Sequence, residues 1–268
     1  MSIIDQEPGL VEALRGEMTP KFLATRSPEG VPNVVPCVSI TAAEDQDDTL
    51  FFGNFLLRKS IRNLEADQRV GILVITEALE GWILKGDFIE FQRTGPYVDY
   101  QMNSGLLRYN AYTGVRNAGV IRVTGIEGRF HISRMQVALD YLRARLKAYR
   151  DIDKPEDNQL VEIPLPVQRE FARMVAVKVL AWIQDDGYPI VRPALSLQPT
   201  GSYTMTTWLG GGGLPCPPDD VQVASNILTF EAISYQAKGL WQIDGKAGAL
   251  QVQEVYAGGP PYPGGRVA

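Results

Sequence analysis

Arg58 and Lys59 stand side by side in FFGNFLLRKSIRNLEADQRV, residues 51–70, between an aromatic strand and a short amphipathic helix. Their chemistry is that of an anion grip. A guanidinium offers a phosphate a bidentate fork, and an ammonium offers a point charge. In the first turn of a helix, unpaired backbone N–H groups and the helix dipole favour an anion and disfavour cations. Two cations there are locally out of place, and a bound phosphate would offset the cost. Arg62, one turn later, can add a third contact or face water. The blander alternative is a solvated helix start, because most Lys and Arg side chains are simply exposed.

Other chemistry is scarce. The chain has one histidine, His131, in RFHISRM. That removes His-rich zinc sites and HExxH, and a serine triad would have to use His131 itself. No GxSxG motif is present. The two cysteines, Cys37 and Cys216, are far apart and form neither a disulfide framework nor a CxxC site. No metal site is expected.

The elements that must position the cation pair follow from periodicity. KFLATRSPEGVPNVVPCVSI, residues 21–40, reads strand, turn, strand, with PEG as the turn. TLFFGN is a third strand. LLRKSIRNLEA then places Leu57, Ile61 and Leu64 on one helical face. VGILVITE, GWILKGDFIEFQ and NAGVIRVTGIEGRF read as further strands. Many strands with one short inserted helix predict a small antiparallel barrel. Ser133 can cap a longer helix, SRMQVALDYLRARLKAYR. Its apolar stripe is Met135, Leu139, Leu142, Leu146 and Tyr149. DIDKPEDNQLVEIPLP is acidic, Pro-containing and aperiodic, the expected linker.

The pattern then returns. KVLAWIQDDGYPIVRPALSL, residues 178–197, shares eight of twenty positions with residues 21–40 without a gap, among them Gly30 with Gly187, Pro32 with Pro189 and Pro36 with Pro193. LKG at 84–86 is echoed by AKG at 237–239, and AGVIRV from Ala118 by AGALQV from Ala247. Three echoes in one order predict an internal duplication. The copies differ where it matters: WLGGGGLPCPPDD from Trp208 replaces the cationic helix, and glycine and proline cannot make that helix.

The order of strand, PEG turn, VPNVVPCVSI, TLFFGN, RKSIRNLEADQRVGILV and GWILKG resembles the pyridoxamine 5′-phosphate oxidase-like, FMN-binding split-barrel family. The resemblance covers most of residues 18–128 and, more weakly, about 174–256. It implies a mainly β chain of two tandem six-stranded antiparallel split barrels, the second degenerate. The expected division is 1–150 for the barrel with the phosphate motif and its C-terminal helix, 151–173 for linker and short helix, and 174–268 for the second barrel. Arg58 and Lys59 match the positions that hold the FMN phosphate. Val35, Pro36, Phe52, Gly53 and Asn54 match strand ends that line the flavin, and Trp82 matches a position near the ring or ribityl chain.

The sequence also departs from the family. Leu57 stands where a serine usually precedes the cation pair. An arginine of true pyridoxamine phosphate oxidases on the second strand is Val34 or Val35 here. The basic C-terminal signature of those oxidases is missing from GGPPYPGGRVA.

The resemblance therefore implies an FMN-dependent oxidoreductase acting on an unknown small molecule rather than a vitamin B6 oxidase. Tyr97, Tyr100, Tyr109 and Tyr112 would form a substrate rim or merely a packed connection. The alternatives are a non-enzymatic flavin or haem binder, such as a sensor or carrier, and a pair of interaction modules. Split barrels also take deazaflavin, and a His-ligated haem would depend on His131. Family members usually dimerise, so the tandem form implies an intrachain pseudo-dimer with one flavin per chain, and allows a homodimer as well. Arg192 could reach across from the second copy.

The net charge of −5 argues against a nucleic-acid partner. No run of about 18 apolar residues predicts a transmembrane span, and MSIIDQEPGL is not a secretory signal. A cytoplasmic protein without a membrane partner is the expectation.

Overall fold

A computed structural model describes residues 2–44, 47–54, 57–105, 115–148, 159–210, 213–259 and 264–268. Two seven-stranded antiparallel sheets carry the fold. The first runs in the order β2 (Pro32–Pro36), β1 (Lys21–Arg26), β5 (Arg69–Ile75), β6 (Glu80–Gln92), β7 (Ala118–His131), β4 (Thr49–Gly53) and β3 (Thr41–Ala42). Six strands match the sequence expectation, and the two-residue β3 is the seventh. The second sheet runs β9 (Pro189–Pro193), β8 (Val177–Ile183), β12 (Val221–Leu228), β13 (Ser234–Asp244), β14 (Ala247–Ala257), β11 (Thr204–Trp208) and β10 (Gln198–Pro199). Read in this direction the two orders are the same, strand for strand.

Matched hydrogen bonds carry the likeness down to single atoms. Cys37 N–H donates to the Lys21 carbonyl at 2.8 Å, and Ala194 N–H to the Lys178 carbonyl at 2.7 Å. The Ser39 hydroxyl accepts from Gly53 N–H at 3.2 Å, and the Ser196 hydroxyl from Trp208 N–H at 3.1 Å. Gly30 and Gly187 both take a positive φ, 82° and 80°, in the tight β1–β2 and β8–β9 turns, a conformation that favours a residue without a Cβ.

Continuous runs of buried residues along the strands build the core. Phe22, Ile72, Val74, Ile83 and Leu84 are buried in the first sheet, and Val179, Ala181, Trp241 and Leu250 in the second. Register shifts along the β6–β7 pair at Ile83/Leu84, Lys85/Gly86 and Phe88/Glu90 mark β-bulges, which bend and twist these long strands.

Five α-helices accompany the sheets among the described residues: α1 (Leu10–Arg15), α2 (Arg58–Ala66), α3 (Pro96–Asn103), α4 (Arg134–Ala148) and α5 (Leu165–Phe171). By its contacts the chain divides into two compact units. One comprises residues 1–30, 36–131 and 184–190; the other comprises residues 31–35, 132–183 and 191–268. Helix α4 is thus grouped with the second sheet, whereas the sequence reading closes the first domain after it, at 150. The cause is its packing on β10 and β11. The Tyr141 hydroxyl donates to the Ala172 carbonyl at 2.5 Å, and Gln198 donates to the Tyr141 carbonyl at 2.7 Å.

The face that α4 buries is Asp140, Tyr141 and Ala144. The expected stripe of Met135, Leu139, Leu142 and Leu146 points outward instead. Small Ala144 lets the helix approach closely, and Tyr141 brings both a ring and a polar tip. Tyr149, residues 151–158 of the expected linker, Tyr109 and Tyr112 lie outside the described residues.

Candidate functional site

The candidate site in the first unit is built on the end of β4 and the start of α2. Strand β4 pairs with β7 through Phe52↔Gly119 and Gly53↔Ala118. Phe52 is fully buried, with its ring against Gly119, where any Cβ would lie 2.3 Å from a ring carbon. Packing therefore fixes this residue. Buried Asn54 leaves the strand with its N–H donating to the Asn117 carbonyl at 2.9 Å.

Gly53 is gripped from two sides. The Ser39 hydroxyl accepts from its N–H at 3.2 Å and donates to its carbonyl at 3.5 Å. From α3, the Gln101 amide donates to the Ser39 carbonyl at 2.9 Å, and its Oε1 would sit 3.1 Å from a Cβ at Gly53. A larger residue at 53 would have to displace Gln101, which is itself buried.

Helix α2 is preceded by Leu57 at its N-cap, which provides no side-chain cap, and no acidic residue stands in its first turn. Arg58 is exposed, Lys59 half-buried and Ser60 buried. The helix is held by its far side. The Asn63 amide donates to the Thr25 hydroxyl on β1 at 3.0 Å, and Leu64 is buried. At its C-terminus Asp67 accepts from Arg69 at 2.9 and 2.7 Å and pairs with Arg26 at 3.7 Å. The hydrogen bonds from Arg69 hold the Asp67 carboxyl below its usual range. The helix start is thereby presented while its end is clamped. An uncapped N-terminus with two cations and no acid suits a phosphate.

Beneath the cradle, Lys21 is buried at the start of β1 and donates to the carbonyls of Gly16 at 2.8 Å and Val38 at 3.0 Å. Burial lowers its pKa to about 8. Burial also pushes the Cys37 thiol up to about 12, so it is an inert core thiol.

The remaining candidates are dispersed. Pro36 is half-buried at the end of β2, three residues before Ser39. Val35 is half-buried and grouped with the second unit, where the neighbouring Val34 carbonyl accepts from Asn226 and Gln236. Trp82 is buried near Gly9, with Arg129 over its ring at 5.7 Å. It pairs with Arg129, whereas the β4 end meets β7 at Ala118, which faces Gln92. Trp82 therefore lies at the opposite end of β6 from Gly53.

Tyr97 stacks on Phe51 at 4.4 Å between ring centres and is buried, which makes it part of a packed connection; Tyr100 meets Phe51 edge-on and is half exposed. His131 is exposed at the end of β7. Sequence reasoning missed Ser39 and Gln101. Ser39 was detectable as one of the positions shared by both copies; Gln101 carried no signal.

In the second unit, none of the described residues between β11 and β12 is helical. Arg192, buried, donates to the carbonyls of Leu209, Pro215 and Pro193 and to the Cys216 sulfur. It is engaged inside its own unit.

Two sheets of one strand order, consistent with tandem split barrels, define the class. The family model described as pyridoxamine 5′-phosphate oxidase matches residues 10–163, more than half of the chain, and the chain belongs to that family.

Solved structures similar to about half of it include an FMN-binding protein from Syntrophomonas wolfei subsp. wolfei, at 14% identity over 49% of this chain and 88% of that one, TM-score 0.39. They also include HutZ, the haem storage protein from Vibrio cholerae, at 17% identity over 49% and 95%, TM-score 0.35. An F420 reductase matches at 21% identity over 43% and 94%, TM-score 0.33. A search of curated proteins finds no match.

Proposed function

We propose that the first repeat binds FMN by its phosphate at the start of α2, and that the chain is an FMN-dependent oxidoreductase of the cytoplasm acting on a small molecule. The observation that carries this reading is the α2 N-terminus: Arg58 and Lys59, no cap and no acid, in a member of this family. Arg58 and Lys59 would hold the phosphate. Pro36, Gly53 and Asn54 would line the flavin from the strand ends, with Val35 next to them in sequence.

When bound, FMN supplies hydride or electron transfer, and the protein supplies position and environment. The chain's own part is to keep the lip of the cradle rigid through Ser39 and Gln101 and to leave Arg58 exposed to an incoming phosphate. No side chain is assigned as an acid or base. The two repeats would play the parts of two subunits, with one cofactor per chain.

The test is direct. Purified protein is titrated with FMN, and binding is followed by quenching of flavin fluorescence. Substituting Arg58→Ala with Lys59→Ala should weaken binding by about tenfold or more, as loss of charge-assisted contacts does. Unchanged affinity would sink the phosphate assignment. NAD(P)H consumption by the loaded protein then separates an enzyme from a carrier. A Soret band in the purified protein, without flavin, would favour haem instead.

A further inference from the structure

Helix α4 has its amphipathicity turned inside out. Met135, Leu139, Leu142 and Leu146 are 73%, 42%, 56% and 67% exposed. Their spacing of four, three and four residues sets them in one row, within about 40° of a common direction at 100° per residue. Arg143 and Arg145 fall about 80° to either side of that row, and Arg134 about 100° away on the Arg145 side. All three are exposed. The helix carries Arg134, Arg143, Arg145 and Lys147 against one acid of its own, Asp140, which is buried and paired with Arg143 at 3.0 Å; Lys147 pairs with Asp244 of β13. A locally basic helix thus stands on a chain of net charge −5.

We propose that α4 is a membrane-surface helix that docks on an anionic lipid bilayer, with its leucine row in the acyl boundary and its arginines among the headgroups. Two observations favour this occupant. An apolar row flanked by cations on both sides has the charge pattern of an interfacial helix, whose basic side chains rise to meet anionic headgroups. The row is also short: four side chains on one helix fall well below the area of a stable protein interface, about 1,200 Å² or more, whereas peripheral lipid binding scales with a small buried apolar area plus local charge.

The inference does not depend on FMN binding, and none of these residues belongs to the proposed cradle. It also revises the sequence expectation of no membrane partner. The residues are read as lying on the bilayer, not crossing it; among the described residues no helix is long and apolar enough to span one.

The test is co-sedimentation of the full chain with sucrose-loaded vesicles of phosphatidylcholine alone or with about one-third phosphatidylglycerol. Binding is expected only to the anionic vesicles, falling about fivefold or more when salt is raised from about 0.1 to about 0.5 M. Leu139→Glu with Leu142→Glu should lose it by about tenfold or more, and Arg143→Glu with Arg145→Glu should also weaken it.

Circular dichroism checks that these variants fold. Should the leucine pair fail to fold, Leu142→Trp in the otherwise native chain gives a second reading: brominated lipid must quench the fluorescence that this substitution adds. No binding to anionic vesicles, binding unmoved by the variants, or added fluorescence that brominated lipid leaves unquenched would overturn the proposal. So would a concentration-dependent dimer abolished by the leucine substitutions, which would assign the row to a second copy.

Discussion

Gln101 stands over Gly53. Its amide donates to the Ser39 carbonyl at 2.9 Å, while its Oε1 occupies the space that a Cβ on Gly53 would enter, 3.1 Å away. Ser39 in turn bonds both polar groups of Gly53. One buried glutamine from an inserted helix therefore fixes the end of a strand it does not pair with. The second repeat keeps the serine contact, Ser196 with Trp208, but there the hydroxyl of Thr207 is the further partner, at 2.8 Å.

Gln101→Leu should accordingly cost about 1–3 kcal/mol, the usual penalty for leaving a buried polar group without its partner. Urea denaturation of the two proteins measures it. A variant as stable as the parent would show that the Ser39 carbonyl finds another donor.

The anchoring of α2 is a second relationship open to measurement. The Asn63–Thr25 hydrogen bond, 3.0 Å and buried, ties the helix to β1. Asn63→Ala and Thr25→Val should each destabilise by about 1 kcal/mol, and the double variant by less than the sum, because both remove the same bond. Strict additivity would show that the two side chains act independently. On the FMN reading both single variants also weaken the cofactor, since the cation pair rides on the helix they hold.

Lys178 gives the clearest dependence on pH. It is fully buried at the start of β8, donates to the Leu197 carbonyl at 2.8 Å, and lies 5.4 Å from the Tyr141 ring centre. Burial lowers its pKa to about 7. Below that pH both folded and unfolded chains hold the proton, and folding bears the full cost of the buried charge. Between about 7 and the ordinary lysine value the unfolded chain binds the extra proton, so stability rises with pH, by on the order of 3 kcal/mol by pH 9 and about 5 kcal/mol over the whole window.

Lys178→Met removes this rise. It also leaves the Leu197 carbonyl without its donor, so the variant should gain on the parent at pH 6 and lose to it at pH 9. Lys21 adds to the rise above about 8, and Cys37, pushed up to about 12, opposes it above the ordinary thiol value. Both are present in parent and variant and cancel in the difference. Parallel stability curves from pH 6 to 9 would contradict the assignment.

How far the sequence led depends on what kind of signal each element carries. The strands were legible because each needs only a short run of β-branched and aromatic residues between turn residues, and Gly30, Pro32, Gly187 and Pro189 recur where the backbone recurs. Helix α2 was legible for the same reason. Helix α4 was legible as a helix but not in its orientation. A leucine row normally marks the buried face, and here Tyr141 and Ala144 supply a rival face that the tertiary structure uses. Gln101 was invisible because its role rests on a contact 62 residues away in sequence, with Ser39. Trp82 was matched to the site by family position, yet its strand register sends it to the far end of β6.

The two repeats also predict a stoichiometry. Where α2 stands in the first, the second has residues 209–220, rich in glycine and proline, with no helix among those described. Arg192, a buried cation beside that loop, already donates to Leu209, Pro215 and Cys216. A phosphate arriving there would have to compete for a guanidinium that holds the loop in place. Burial lowers the pKa of Arg192, and only the Cys216 sulfur works against that shift.

Arg192→Met should therefore loosen the loop and leave flavin binding untouched. Limited proteolysis with a non-specific protease should cut at residues 209–218 several-fold faster, because cleavage follows the population of the opened loop. FMN released by denaturing the loaded parent should amount to about one per chain, the number of uncapped cationic helix starts among the described residues of the sheet pair. Two per chain, or a loss of half the flavin in Arg192→Met, would place a second phosphate site in the repeat that has lost the helix.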